Sequence, residues 1–385
     1  MVEELLCEYG SPLYVYDADA LRRSIHHIAS SIPYPQTRFH FACVTNGNLA
    51  LMKIFLREGW GLHANTPGDA YLGLKAGFAP DQIVYTGSNL SRAEIAGMLR
   101  WGIGAFNLDS LDQVRSFCEV CSGAGAHPRL GLRLNLPEVT GGNRIGVRVE
   151  ELSEAVRIAS SAGLRITGIH FYRGTGTNQT SAFIDSIAPV IEASLRLPDW
   201  QYLDFGGGFG HPYHADRERF EWDKFGSELN EHLSRLPRRI NLLIEPGRAV
   251  IAGCGALLAR VVSVKRQGER QIAGVDTSVA NIAVLAVHGG YRRIVAFKES
   301  DSLFETDVCG NTTFSRDYLG RNCALPPLEV GDAVAILDAG AYGYAMSSHF
   351  LHRPRPAEVL FEGGSHRLIR RRESYEVLIE NQERG

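Results

Sequence analysis

Residues 202–210 read YLDFGGGFG: a short apolar run, an aspartate, then three consecutive glycines between two phenylalanines. The run has the length of a strand, and the glycines break it into a loop. Outward from this stretch the same unit recurs. FHFACV (39–44), GLHAN (61–65), IVYTG (83–87), AFNLD (105–109), LGLRLN (130–135) and GIHFY (168–172) precede it, and LLIEP (242–246) follows. Most of these runs end in Gly, Asn, Asp or Pro. Several of the stretches between them, such as LALMKIFLREGW and SRAEIAGMLRWG, carry apolar residues at helical spacing. Eight strands alternating with helices predict an α/β fold, a (β/α)8 TIM barrel over residues 18–255. An open doubly wound sheet is the alternative, and eight repeats at this spacing favour closure.

After about residue 255 the texture changes. ALLARVVSVKR, QIAGVDTS, RRIVAF, DAVAILDAG and AEVLFEGG are β-rich with few helical intervals. They predict an all-β domain, a sandwich or barrel, over residues 256–385. SPLYVYD (11–17) is also strand-like, and residues 1–17 are expected to join that domain from the other end of the chain.

The chain of 385 residues is 44% hydrophobic and 22% charged, with a net charge of −3. That is the make-up of an ordinary globular protein. It leaves no electrostatic footprint for nucleic acid or an anionic membrane surface, and Arg370-Arg371-Arg372 reads as a solvated strand end. No segment approaches the ~18 apolar residues of a membrane span. The acidic start, Met1-Val2-Glu3-Glu4, lacks the basic and apolar regions of a secretory signal, so a cytoplasmic location is the expectation. Seven cysteines, scattered from Cys7 to Cys323, do not suggest a disulfide framework. Cys118 and Cys121 form a C-x-x-C, read as two small residues on a helix because neither a second ligand pair nor a helix N-terminus accompanies them.

In a barrel the functional groups lie at the C-terminal ends of the strands. Gly206, Gly207 and Gly208 let backbone N–H groups close in on an anion, and a phosphate is the usual guest at this corner. Strand eight ends in Glu245-Pro246-Gly247-Arg248. Its carboxylate and guanidinium can hold a ring-nitrogen proton and a phosphate at the two ends of one ligand. Taken bare, the same pair is a salt-bridged strand end.

Together LDFGGGFG, IEPGRAVIAG, DAGAYGYAMSS and RPRPAEVL resemble the signature segments of the ornithine/diaminopimelate decarboxylases, fold-type III enzymes that use pyridoxal phosphate (PLP). SPLYVYD and LIRRRESYEVL extend the likeness over nearly the whole chain. It is greatest to the diaminopimelate-decarboxylase-like branch, which includes decarboxylases of secondary metabolism and siderophore pathways. The resemblance implies a PLP barrel, a C-terminal β domain and a head-to-tail homodimer with sites at the subunit boundary. It implies a phosphate cup of Gly206, Gly207, Gly208 and Arg248, closed by Tyr342. Glu245 would face the pyridine nitrogen, Arg133 would lie near the ring oxygen, and Asp204 would order the glycine loop.

The likeness breaks at the reacting end. The family's first strand ends in A-V-K-A-N, whose lysine forms the Schiff base; here the stretch is Ala42-Cys43-Val44-Thr45-Asn46. Valine can form no such bond. Of the five lysines, Lys53, Lys75 and Lys224 lie in helical stretches, and Lys265 and Lys298 in expected strands of the β domain. The acidic residue expected beside the lysine is His63. The histidine that stacks on the ring is Tyr172, and the phosphate-binding serine is Thr175. The proton-donating cysteine is Thr313, the substrate-reading carboxylate is Phe314, and a carboxylate-binding arginine is Val284. The phosphate end is kept while the reacting end is rebuilt, a split that argues against simple decay.

Two readings stay open. In the first the protein is a non-standard lyase of amino-acid or specialised metabolism acting on an amino acid or derivative. It binds PLP non-covalently, or another phosphate-bearing ligand, with His63, Tyr172 and Thr313 as catalytic candidates beside Arg173. In the second it is a non-catalytic relative that pairs with an active decarboxylase. His63 and His170 have the chemistry of metal ligands, but spacing supplies no third donor, so no metal site is assigned.

Overall fold

After β1 (Leu13–Asp17), the apolar runs become eight strands in the order they occur: β2 (Thr37–Ala42), β3 (Gly61–Ala64), β4 (Ile83–Thr86), β5 (Ala105–Leu108), β6 (Arg129–Leu134), β7 (Ile166–Phe171), β8 (Tyr202–Asp204) and β9 (Asn241–Ile244). In the computed structural model, which describes residues 1–142, 144–174, 176–268 and 270–383, each pairs in parallel with the next. β9 returns to β2 with Thr37 opposite Leu242 and Phe39 opposite Ile244, which closes the barrel. The open-sheet alternative is thereby excluded.

Local chemistry starts and stops the helices between the strands. Thr66 accepts from the Asp69 N–H while Asp69 accepts from the Thr66 N–H, Pro67 opens the first turn, and Gly77 at φ +104° ends the helix Pro67–Ala76. Ser91 and Glu94 repeat the device for Arg92–Arg100. Cys118 and Cys121 lie buried on the helix Leu111–Ala124 as free thiols. Burial raises both, Cys121 to about 11, so neither is a ready thiolate.

The chain divides into two compact units. The barrel unit is Ser24–His211 with Glu218–Val250. The other comprises Met1–Arg23, Pro212–Arg217 and the chain from Ile251 onward. The divisions thus fall at residues 23 and 250 rather than 17 and 255, and residues 212–217 leave the barrel unit. This second unit holds β1 together with β10 (Gly255–Gln267), β11 (Arg270–Val275), β12 (Ile294–Ala296), β13 (Phe304–Cys309), β14 (Tyr318–Leu325), β15 (Ala333–Ile336), β16 (Ala357–Glu362) and β17 (Ser365–Arg370). They form one sheet in the order β14-β13-β11-β10-β1-β16-β17, with β15 paired to β10 and β12. Its core includes Leu6, Leu13, Leu258, Ala335, Ala357 and Val359. Leu6 comes from a helix, Val2–Tyr9, where no element was expected.

The basic run at the end of β17 is more than a solvated strand end. Arg370 pairs with Glu358, which is fully buried on β16 and also accepts from the Tyr16 hydroxyl at 2.7 Å. Arg372 donates to the Pro12 carbonyl at 2.6 Å. Among the described residues no helix is long and apolar enough to cross a membrane.

Candidate functional site

Strands β4 and β5 lie across the barrel from β8 and β9, so their side chains meet only inside the lumen. Val84, Ala105, Tyr202 and Leu243 do so as one buried cluster. Residues two apart share a strand face, and two steps further along the same strands come Thr86, Asn107, Asp204 and Glu245, all buried. An apolar floor therefore carries a polar layer. Asn107 Nδ2 donates to Thr86 Oγ1 (2.9 Å) and Asp204 Oδ2 (3.2 Å), and the Tyr202 hydroxyl donates to Asn107 Oδ1 (2.8 Å). Asp204 Oδ1 accepts the Gly206 N–H at 3.0 Å. Asp204 thus orders the glycine loop.

Glu245 sits between two imidazoles. Its Oε2 lies 3.3 Å from His170 Nε2 and 3.4 Å from His63 Nε2; the two rings are inclined by 15° with centroids 6.3 Å apart. Burial holds His170 down to about 4 and His63 well below the ordinary imidazole value, so both rings are neutral near pH 7. At neutral pH His63 therefore has one ring N–H and one free lone pair, and no imidazolium proton to give. Burial pushes Glu245 up to about 7, against a hydrogen bond with Asp204 and the charge of Arg133. Asp204 is raised well above the usual carboxylate range, first by burial and then by the charge of Glu245. Of the pair, Asp204 is the one that stays protonated.

Arg133, opposite His170 in the β6–β7 register, is lowered by burial and places its guanidinium 5.1 Å from the centre of the Tyr172 ring. That is cation–π range. The remaining candidate, Arg173, turns away: its Nε donates to the Ala182 carbonyl at 2.7 Å.

The glycine loop is built so that side chains are excluded. Gly206 has φ +68° and Gly208 φ +96°, and a Cβ on either would come within 2.2 Å of a carbonyl oxygen, that of Phe171 or of Gly174. The Gly210 N–H donates to Thr177 O (2.9 Å) and the Thr177 N–H to Gly208 O (3.3 Å), pinning this loop to the one after β7. Phe209 stacks on Phe183 behind it. A Cβ on Gly176 would stand 3.2 Å from Arg248 Nε, so Arg248 borders the same loops. Gly206, Gly207, Gly208 and Arg248 are therefore brought together in the barrel unit.

Thr175 lies outside the described residues. Tyr342 and Thr313 belong to the β unit, Tyr342 at φ +56° and Thr313 exposed. Val44 is not in a strand: β2 stops at Ala42, and Cys43–Thr45 make a single 3₁₀ turn. Cys43 and Thr45 are buried in that turn, while Val44 is 41% exposed. Lys53, Lys75 and Lys224 are exposed on barrel helices, and Lys265 is exposed on β10. Lys298 lies beyond the end of β12, where it meets Glu329 and Asp332. No lysine reaches the polar layer.

The grouping of Glu245 with both histidines, and the Thr86–Asn107–Asp204 network in the same layer, are absent from the sequence reading. A signal existed: in four runs a polar residue stands two places after a buried floor residue. Residues 18–252 match the family model described as pyridoxal-dependent decarboxylase, pyridoxal binding domain. A diaminopimelate decarboxylase of Methanothermobacter thermautotrophicus is 34% identical over 400 residues, covering 98% of this chain and 93% of that protein. Its counterpart from Archaeoglobus fulgidus is 31% identical, covering 99% and 95%. The crystal structure of diaminopimelate decarboxylase from Helicobacter pylori complexed with L-lysine superposes with a TM-score of 0.90 at 25% identity, covering 99% and 98%.

Proposed function

The chain belongs to the pyridoxal-dependent decarboxylases, and on that footing we propose that it is a lyase-type enzyme that holds a phosphate-bearing ligand without a covalent bond. Its substrate in this reading is an amino acid or amino-acid derivative. One observation carries the proposal: the side-chain-free cup of Gly206–Gly208 beside Arg248 is intact, while the turn after β2 presents Val44 and no lysine is near. A binding protein that had given up its ligand would have no use for backbone strained to this shape.

PLP is the first candidate ligand. Backbone N–H groups of the cup and Arg248 suit its phosphate, and Glu245, with an unpartnered Oε1, suits its ring nitrogen. When bound, PLP supplies an electron sink for the bond broken at the substrate's α-carbon. The chain's own residues do the rest. Glu245 holds the ring-nitrogen proton, and Arg133 orients an anionic group. His63, neutral, accepts a proton, and the Tyr172 hydroxyl is the donor candidate. Thr313 lies on an exposed loop of the β unit, and the proposal includes it as part of a homodimer with shared sites.

The test is an absorbance titration of the purified protein with PLP, followed by borohydride and mass measurement. The proposal expects a saturable band shift and no added mass. Added mass at one lysine overturns the non-covalent part. No saturable change removes PLP and favours a different phosphate ligand or the non-catalytic relative.

A further inference from the structure

His63, His170 and Glu245 have more ligating capacity than their surroundings use. Among the described residues, His63 Nδ1 and Nε2, His170 Nδ1 and Glu245 Oε1 are buried without a hydrogen-bond partner. Buried polar atoms are seldom left so, and the neighbouring Thr86, Asp204 and Tyr202 are well paired through Asn107. A pyridine nitrogen would engage one oxygen of Glu245 and leave both nitrogens of His63 and Nδ1 of His170 unmet. The group that takes a lone pair from two neutral imidazoles and a carboxylate at once is a metal ion.

We propose that His63, His170 and Glu245 form a site for a divalent first-row transition ion, of the class Zn(II), Co(II) or Fe(II). One donor atom from each lies within 4.8 Å of the others. The separations from Glu245 Oε2 to the two Nε2 atoms are 3.3 and 3.4 Å. Donors bound at about 2.0–2.1 Å in a tetrahedral shell stand roughly 3.4 Å apart, so these two edges already have the spacing an ion needs. Two imidazoles and one carboxylate suit such ions over Mg(II) or Ca(II), which prefer oxygen donors. Three protein ligands leave at least one position open for an exogenous group.

Charge sets the class of that group. A dication outweighs the single carboxylate among its ligands, Glu245, and Arg133 adds a guanidinium beside it, so the site carries net positive charge. The open position therefore suits an anion such as a substrate carboxylate or a phosphate. This inference goes beyond the lyase reading and is tested on protein free of PLP. A bound ion and a pyridinium nitrogen compete for Glu245.

The experiment uses chelator-stripped, PLP-free full-length protein, titrated with Co(II) and followed by visible ligand-field absorption and elemental analysis. One equivalent per chain is expected, with bands of a nitrogen–oxygen site. Glu245→Gln and His63→Ala should each weaken binding by more than the about 10–100-fold that loss of an outer-shell partner costs. Tyr172→Phe should bind as the parent does. Each variant counts only if it keeps a cooperative thermal transition, and His170→Ala replaces either that does not. No stoichiometric uptake by the folded parent overturns the proposal, as does uptake that survives in the ligand variants. PLP binding is read separately, so either proposal can fail without the other.

Discussion

His40, on β2, shows how a single buried group should govern acid sensitivity. Burial holds its imidazole down to about 3, helped by the charges of Arg129 and Arg38. The unfolded value is ~6.5, so as pH falls the unfolded chain takes up the proton first. The stability tied to a neutral His40 is whole above about pH 6.5 and is lost progressively toward pH 3. Between pH 6 and 4, His40→Gln should therefore lose about 1.4 kcal/mol less per pH unit than the parent. Urea midpoints at several pH values measure this, and equal slopes would mean that His40 is already charged in the folded protein. Single residues were legible where they stand near strand ends, as His63 and His170 do. Their meeting at Glu245 was not, because His170 and Glu245 are 75 positions apart and only barrel closure unites them.

At the scale of elements, the loop between β8 and the chain beyond it is the place where shape is least negotiable. Gly206→Ala puts a methyl at φ +68° and within 2.2 Å of the Phe171 carbonyl. Strain and displacement together should cost about 2–4 kcal/mol. Chemical denaturation reads the cost, and a change below about 0.5 kcal/mol would show that the loop relaxes freely. The barrel strands were legible because they are buried on both faces and read as continuous apolar runs. Parts of the β unit were not. β14 (YLGRNCAL) and β17 (SHRLIR) are mostly exposed or half-buried, and so carry neither an apolar run nor clean alternation. Cys43 and Val44 were read as strand because they continue the apolar run; the chain leaves the ladder after Ala42 into the turn Cys43–Thr45.

For the whole molecule the proposed homodimer gives a measurable mass. Sedimentation equilibrium should return twice the chain mass of 42.3 kDa. Phe314 and Phe350 meet edge-to-face at 5.6 Å on the β unit while remaining 36% and 47% exposed, an apolar pair that a second copy would cover. Phe314→Asp should shift the population toward monomer, and an unchanged mass would remove this pair from the interface. The division into barrel and β sheet was readable from texture alone, whereas residues 212–217 leave the barrel unit with no change of composition to announce it. The lumen has one more consequence. Because Val84, Ala105, Tyr202 and Leu243 pack together below the polar layer, that layer is open to a ligand from the C-terminal ends of the strands. On the proposed lyase reading, product would leave by the side its substrate entered, and an excess of product would stand in the doorway.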